Sequence, residues 1–113
     1  MKIGIPYNQE NGDIMAHFGH TNAFKIYEIE DGKITNSTVK GTDGKEHSAM
    51  FGLFTEWGLD GLIIGGMGSK AVDLLTGMGL TLYSGVSGSA DAAAEALATD
   101  TLTYSNKAEC GGH

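Results

Sequence analysis

His17 and His20 stand three residues apart around Phe18-Gly19, in the stretch AHFGHTNAF that spans residues 16–24. Two imidazoles at that spacing in a loop can converge on one metal ion or cluster. A closed structural zinc site needs four ligands, and no Cys-x-x-Cys or second histidine pair lies nearby. His47 can act as a third donor or simply stand where a helix begins. The loop histidines therefore read either as ligands or as turn residues bonded to backbone. At the other end of the sequence, Cys110-Gly-Gly-His113 offers a thiolate and an imidazole suited to a soft metal, or reads as a frayed segment.

Two glycine-rich stretches add a different chemistry. Gly65-Gly66-Met67-Gly68-Ser69, followed by Lys70, and Gly85-Val86-Ser87-Gly88-Ser89 each run into a predicted helix start. Unpaired N–H groups and a partial positive charge make such a start favourable to anions. Neither stretch matches a phosphate-binding G-x-x-x-x-G-K-[ST] or a dinucleotide G-x-G-x-x-G pattern, so tight strand-to-helix turns remain the alternative. Asp13, Asp31, Asp43 and Asp60 sit beside glycine or in turns and form no visible acid–base pair. No G-x-S-x-G elbow is present. Met67 and Met78 read as packing residues.

These groups need a scaffold, and hydrophobic periodicity supplies one. IGIPY is a buried first strand, and the loop of about 15 residues after it, Asn8 to Asn22, is long enough to suggest function. In AFKIYEIED, Phe24, Ile26 and Glu28 share one strand face and Lys25, Tyr27 and Ile29 the other. Asp31-Gly32 signals a hairpin to a return strand over Lys33 to Gly41. Ala49, Met50, Leu53, Phe54 and Trp57 mark one face of a helix stopped by Gly58. Leu62 to Ile64 is apolar on both faces, as a strand covered on both sides must be. A second helix over Lys70 to Met78 is capped by Ser69, directs Ala71, Leu74, Leu75 and Met78 inward, and stops at Gly79. A strand over Leu80 to Gly85 and an alanine-rich helix capped by Ser89 follow. The stretch from Thr99 onward has no periodicity and reads as frayed. The order β, ββ hairpin, α, β, α, β, α implies an α/β domain whose sheet is mixed, mostly parallel and five-stranded, with an antiparallel hairpin at one edge.

Bulk properties narrow the function. With 113 residues there is room for one domain, and 41% hydrophobic against 19% charged residues is a globular balance. The net charge of −7 and the absence of arginine argue against nucleic acid, whose phosphates want Lys and Arg. One cysteine permits no internal disulfide and suits a reducing compartment. No long apolar run suggests a signal or a membrane span. A cytoplasmic location and no membrane partner are expected. The exposed hairpin edge leaves monomer and homodimer both open.

The start MKIGIP, the HFGH loop leading into FKIYEIEDGKI, and the run GLDGLIIGGMGSKAVDLLTGMGLTLY come in an order and spacing that resemble a known family. It is the dinitrogenase iron–molybdenum cofactor biosynthesis family, of the NifX and NifB C-terminal type. The resemblance covers roughly residues 1–100. It implies a ribonuclease H-like three-layer α/β/α fold, here a domain over residues 1–103 with a flexible tail at 104–113. It also implies non-catalytic, transient binding of an anionic metal–sulfur cluster, iron–sulfur or molybdenum-containing, handed between metallocofactor assembly or acceptor proteins. Some stand-alone relatives resemble the orange protein, which holds a molybdenum–copper sulfide. By motif match His17 is the ligand carried over, with Phe18, Gly19 and His20 beside it and Gly65, Gly66, Met67, Gly68, Ser69 and Lys70 as the pocket wall. His47 and Cys110 are further metal candidates. No cysteine lies in the body of the chain, so a cluster would be held loosely by imidazole and backbone donors, as a carrier requires. The expectation from residues and resemblance together is a cluster carrier. A small-anion or nucleotide-binding regulatory module is the alternative, and a nuclease-type enzyme ranks last because its acidic metal-binding constellation is not evident.

Overall fold

Eight elements follow in chain order: β1 Lys2–Pro6, β2 Ala23–Glu30, β3 Lys33–Gly41, α1 His47–Glu56, β4 Gly61–Ile63, α2 Ser69–Gly77, β5 Thr81–Tyr83 and α3 Ala90–Ala98. The computed structural model describes residues 1–15, 23–42, 47–66 and 69–104, with backbone alone at 47–51 and 69. The strands form one sheet in the order β3-β2-β1-β4-β5. β1 pairs with β2 and β2 with β3 antiparallel, whereas β1 with β4 and β4 with β5 are parallel. Four strands thus point one way and β2 alone runs against them, so the sheet is mixed in just the sense that a hairpin grafted on βαβ units demands. The hairpin turns through Asp31 and Gly32 at φ 53° and 77°, the left-handed pair a tight two-residue connection needs.

Each face of the sheet carries its own core. Phe24, Ile26, Leu62, Ile64 and Leu82 meet Phe54 of α1 and Leu75 of α2, with Leu59 and Leu80 closing the layer. Phe24 and Phe54 pack edge to face at 5.2 Å, and Trp57 tilts against both. On the opposite face Ile3, Ile5, Tyr27, Ile29 and Ile63 meet α3. Ala90, Ala93 and Ala94 form the buried stripe of α3, and their small side chains let the helix lie close to the sheet. Leu62, Ile63 and Ile64 are all fully buried and contribute to alternate faces, as expected of a central strand. The result is three layers, α1 and α2 over one face and α3 over the other.

Two readings of the sequence need correction. Leu74 and Met78 do not point inward; they are 51% and 40% exposed. α2 rests on β5, an edge strand, so only the narrow stripe of Ala71 and Leu75 finds sheet beneath it. The stretch after α3 is also anchored as far as it is described. Leu102 packs against the α3-side core, and the Tyr104 ring stands edge-on to Tyr83 at 4.8 Å. Periodicity could not signal this, because two anchors in irregular backbone have no period.

The helices end by one device used three times. After α1 the Leu59 amide donates to the Phe54 carbonyl and the Gly58 amide to that of Thr55. After α2 the same pair of bonds joins Leu80 to Leu75 and Gly79 to Thr76. Gly58 and Gly79 take the left-handed conformation at φ 69° and 89°. After α3 the pattern recurs from Thr101 to Ala96 and from Asp100 to Leu97, with Asp100 forced to φ 62° where glycine would be unstrained. Asp100→Gly is therefore expected to stabilise the fold by about 0.5–1 kcal/mol, and Gly79→Ala to destabilise it by about 1–2 kcal/mol. Urea unfolding midpoints of the two variants check both signs.

Candidate functional site

In an open α/β sheet ligands gather outside the carboxyl ends of the parallel strands, where the strand order reverses. Here that point lies between β1 and β4, since the chain departs from β1 toward β2 on one side and returns to β4 on the other. Adjacent strands lie about 4.8 Å apart, so the ends of β1, β4 and β5 share a span of about 10 Å.

Backbone hydrogen bonds stitch the three loops leaving these ends. The Gly85 amide donates to the Gly65 carbonyl at 3.1 Å and the Val86 amide to that of Ile64 at 3.1 Å. The Ile14 amide donates to the Gly88 carbonyl at 2.8 Å and the Ala90 amide to that of Gly12 at 3.0 Å. The loop after β1 is folded on itself by Asn8 and Asn11, whose side-chain oxygens accept from the Glu10 and Asp13 amides at 2.9 Å each. Met15 donates to the Pro6 carbonyl, and Tyr7 donates to that of Ala23, both at 2.9 Å. Residues 15 and 23, which flank the segment carrying the two histidines, are thus both fixed beside the end of β1. A cavity of about 290 Å³, lined by Tyr7, Asn8, Gln9, Glu10 and Met15, opens at this place.

His17, Phe18, Gly19, His20, Met67, Gly68, Cys110 and His113 lie outside the described residues. Gly65 and Gly66 follow Ile64 directly at the end of β4, half-buried and exposed respectively, and Ser69 opens α2. Lys70, in the first turn of α2, is exposed. His47 opens α1, five residues after Thr42 at the end of β3, where Gly41 pairs with Ala23. Topology therefore assembles the starts of all three helices and both flanks of the histidine segment at one edge. Among the described residues no three His, Cys, Asp or Glu side chains form a metal-binding group.

The two glycine-led helix starts are not equivalent. At α3 the Ser89 hydroxyl accepts from the Ala92 amide at 3.2 Å, the Gly12 carbonyl takes the Ala90 amide, and Asp91 occupies the first turn. The chain's own oxygens have filled that anion cradle. The first turn of α2 contains no acidic residue and does contain Lys70. Of the two first turns it is the one whose charges favour an anion.

Behind the loops lies a cluster that sequence reasoning did not find. One oxygen of Asp91, Oδ1, accepts from the Tyr27 hydroxyl at 2.6 Å and from the Lys25 ammonium at 2.8 Å. That ammonium also stands 5.4 Å from the ring centres of both Tyr7 and Tyr27. Burial, then the bond to Asp91, pushes the Tyr27 phenol above its ordinary range. Lys25 and then Tyr27 hold the Asp91 carboxyl below the usual carboxylate range. The partners are more than sixty residues apart in sequence, and the available signals were only a lysine on the inner face of an otherwise apolar strand and an aspartate in a helix's first turn. The cluster clamps the start of α3 to β2 and so steadies the loops hung from it.

A family described as dinitrogenase iron–molybdenum cofactor matches residues 1–100. An uncharacterized protein of Methanocaldococcus jannaschii, MJ0580, is 29% identical over 90 residues, which cover 74% of this chain and 73% of that protein. The crystal structure of PH0822 superposes with a TM-score of 0.85 at 22% identity, covering 92% of this chain and 94% of that one. The apo form of the orange protein from Desulfovibrio gigas gives 0.72 at 15% identity, covering 92% of each chain. At those identities the two structures establish the shared fold. No described helix is long and apolar enough to cross a membrane.

The Tyr27 clamp gives a pH test. A raised folded pKa contributes stability that is complete below the unfolded phenol value, about 10, and is lost as pH rises toward the folded value. Between about pH 10 and 11.5, wild-type stability should fall more steeply than that of Tyr27→Phe, by up to about 1.4 kcal/mol per pH unit. At neutral pH the variant should be about 1 kcal/mol less stable. Urea titrations across this range, compared between the two proteins, check both.

Proposed function

The chain belongs to the dinitrogenase iron–molybdenum cofactor family, and from that membership we propose that it is a non-catalytic carrier. Its cargo is an anionic metal–sulfur cluster, iron–sulfur or molybdenum-containing, held at the carboxyl edge of the sheet for delivery to assembly or acceptor proteins of metallocofactor synthesis. The family itself is associated with iron–molybdenum cofactor biosynthesis. The observation that carries the step to a carrier is the unequal treatment of the helix starts. The start of α2 adjoins the point where strand order reverses, bears Lys70, and is left uncapped by acidic residues in its first turn.

In this reading His17 is the principal ligand, with Phe18, Gly19 and His20 beside it, and Gly65 to Ser69 with Lys70 form the opposite wall. His47, at the start of α1, is the candidate for a third imidazole. Donors of this kind, without thiolates from the body of the chain, bind reversibly and suit a protein that must release what it holds. The net charge of −7 does not forbid an anionic cargo. Exposed charges more than about 8 Å away are largely screened at physiological salt, so nearby N–H groups and Lys70 set the local potential.

Purified anaerobically and incubated with ferrous iron, sulfide and tetrathiomolybdate, the protein is expected to carry charge-transfer absorbance through gel filtration. His17→Ala should retain at least about tenfold less metal, a loss of about 1.4 kcal/mol in binding, while its melting temperature stays at the wild-type value. Equal retention by the variant would remove His17 from the site. A colourless wild-type protein that gives heat with nucleotides or phosphate in calorimetry would replace the cluster with a small anion.

A further inference from the structure

The opposite edge of the sheet carries the complementary electrostatics, and nothing in the carrier reading uses it. α1, α2 and α3 all end there, since Glu56 and Gly77 close just before β4 and β5 begin, and Ala98 closes against Gly32 of the hairpin turn. Each helix end presents carbonyls and roughly half a negative charge. None of the three helices has a basic residue in its last turn. Glu28, Glu30, Asp31, Glu56, Asp60 and Asp100 lie at this edge, against Lys2, Lys33 and the Met1 ammonium. At the cargo edge the described charges balance, with Glu10, Asp13 and Asp91 against Lys25, Lys40 and Lys70.

Between the ends of α1 and α2 a cleft of about 230 Å³ is lined by Phe54, Thr55, Gly58, Leu59, Met78 and Leu80. Met78 is its one well-exposed apolar side chain, over the buried Phe54, Leu59 and Leu80, and its rim includes the carbonyl-rich turns after both helices. Met78, one of the two residues that the periodicity of α2 sends inward and the structure leaves exposed, lines it. The chain itself shows what such a rim attracts: the Lys2 ammonium donates to the Trp57 carbonyl at the end of α1, at 3.3 Å. The end of α2 has no such partner among the described residues.

We infer that this cleft is a docking site for a basic segment of a partner protein, whose lysine or arginine lays its methylene stem on Met78 and Leu80 and its cation on the helix-end carbonyls. The exposed Met78 side chain suits the stem and the negative helix ends suit the head, the division that long cationic side chains exploit. Docking there leaves the cargo edge open, so partner recognition and cargo exchange occupy opposite ends of the molecule. The inference does not depend on what the cargo is.

The probe is a synthetic nonapeptide alternating arginine and leucine, with an alternating glutamate and leucine peptide as control, titrated into ¹⁵N-labelled full-length protein. The arginine peptide should shift amides of Thr55 to Asp60 and Gly77 to Leu80 and leave Gly65 and Gly85 in place. Raising salt from about 0.05 to 0.5 M should weaken binding roughly tenfold, because rim charges are exposed to screening. Glu56→Lys, an exposed substitution that leaves the core untouched, should weaken it by a similar factor, and Met78→Ala should do so with less salt dependence. Shifts spread evenly over the surface, shifts at the cargo edge, or equal binding of both peptides would overturn the inference. So would concentration-dependent dimers in sedimentation that lose their contact in Glu56→Lys, because the cleft would then hold a second copy of this chain.

Discussion

The pairing of β1 with β4, side by side and parallel at the centre of the sheet, constrains everything else. Parallel neighbours cannot be joined by a tight turn, so the chain must cross over between them. Ile3 and Ile5 on one face, and Leu62, Ile63 and Ile64 across both, are buried to within 1%. Both faces therefore need covering, and only helices returning antiparallel to the strands can do so economically. Each must start at the carboxyl edge and end at the amino edge. The segregation of helix N-termini to one end and helix C-termini to the other is thus a consequence of topology before any side chain is chosen.

Side chains then decide how each helix start is used. Around α3 the positive end is spent on closure: Ser89, the Gly12 carbonyl and Asp91 consume it, and Asp91 in turn draws in Tyr27 and Lys25. This gives the loop after β1 a fixed wall, because Ile14 and Ala90 tie that loop to the same corner. A carboxylate with two donors on one oxygen is strong where its neighbours are buried, and Tyr27 is only 1% exposed. The first turn of α2 holds no acidic residue. One helix start holds the loops together, while the first turn of its neighbour carries Lys70 in place of an acidic residue.

Much of this was legible in the sequence where a feature repeats or is local. Alternation in Phe24 to Ile29 assigned those side chains to the correct faces, Asp31-Gly32 announced its turn, and Gly58, Gly79 and Ser89 marked helix limits that the hydrogen bonds reproduce. The apolar run Leu62 to Ile64 disclosed a strand buried on both faces because such a strand has no polar side to show. What stayed hidden was long-range or competitive. The Lys25–Tyr27–Asp91 cluster joins residues that no local pattern links. Leu74 and Met78 obey helical periodicity, but the width of sheet beneath α2 depends on β5 being an edge. The residues that motif and resemblance single out first, His17 and His20, lie where the structure gives only the flanking anchors, Met15 and Ala23.

Charge placement reinforces the polarity that topology began. Glu56 sits at the end of α1 and Asp100 just beyond α3, where a carboxylate meets the negative end of the helix and costs about 0.3–1 kcal/mol. Among the described residues no ion pair offsets these positions. Their effect on the carboxyl edge is slight. A five-residue strand separates the two edges by about 17 Å, roughly two Debye lengths at physiological salt. The acidic end therefore neither repels an anion approaching the start of α2 nor gains from Lys70. An acidic protein can in this way keep one edge whose described charges balance while presenting a negative face elsewhere, and the net charge of −7 describes neither end.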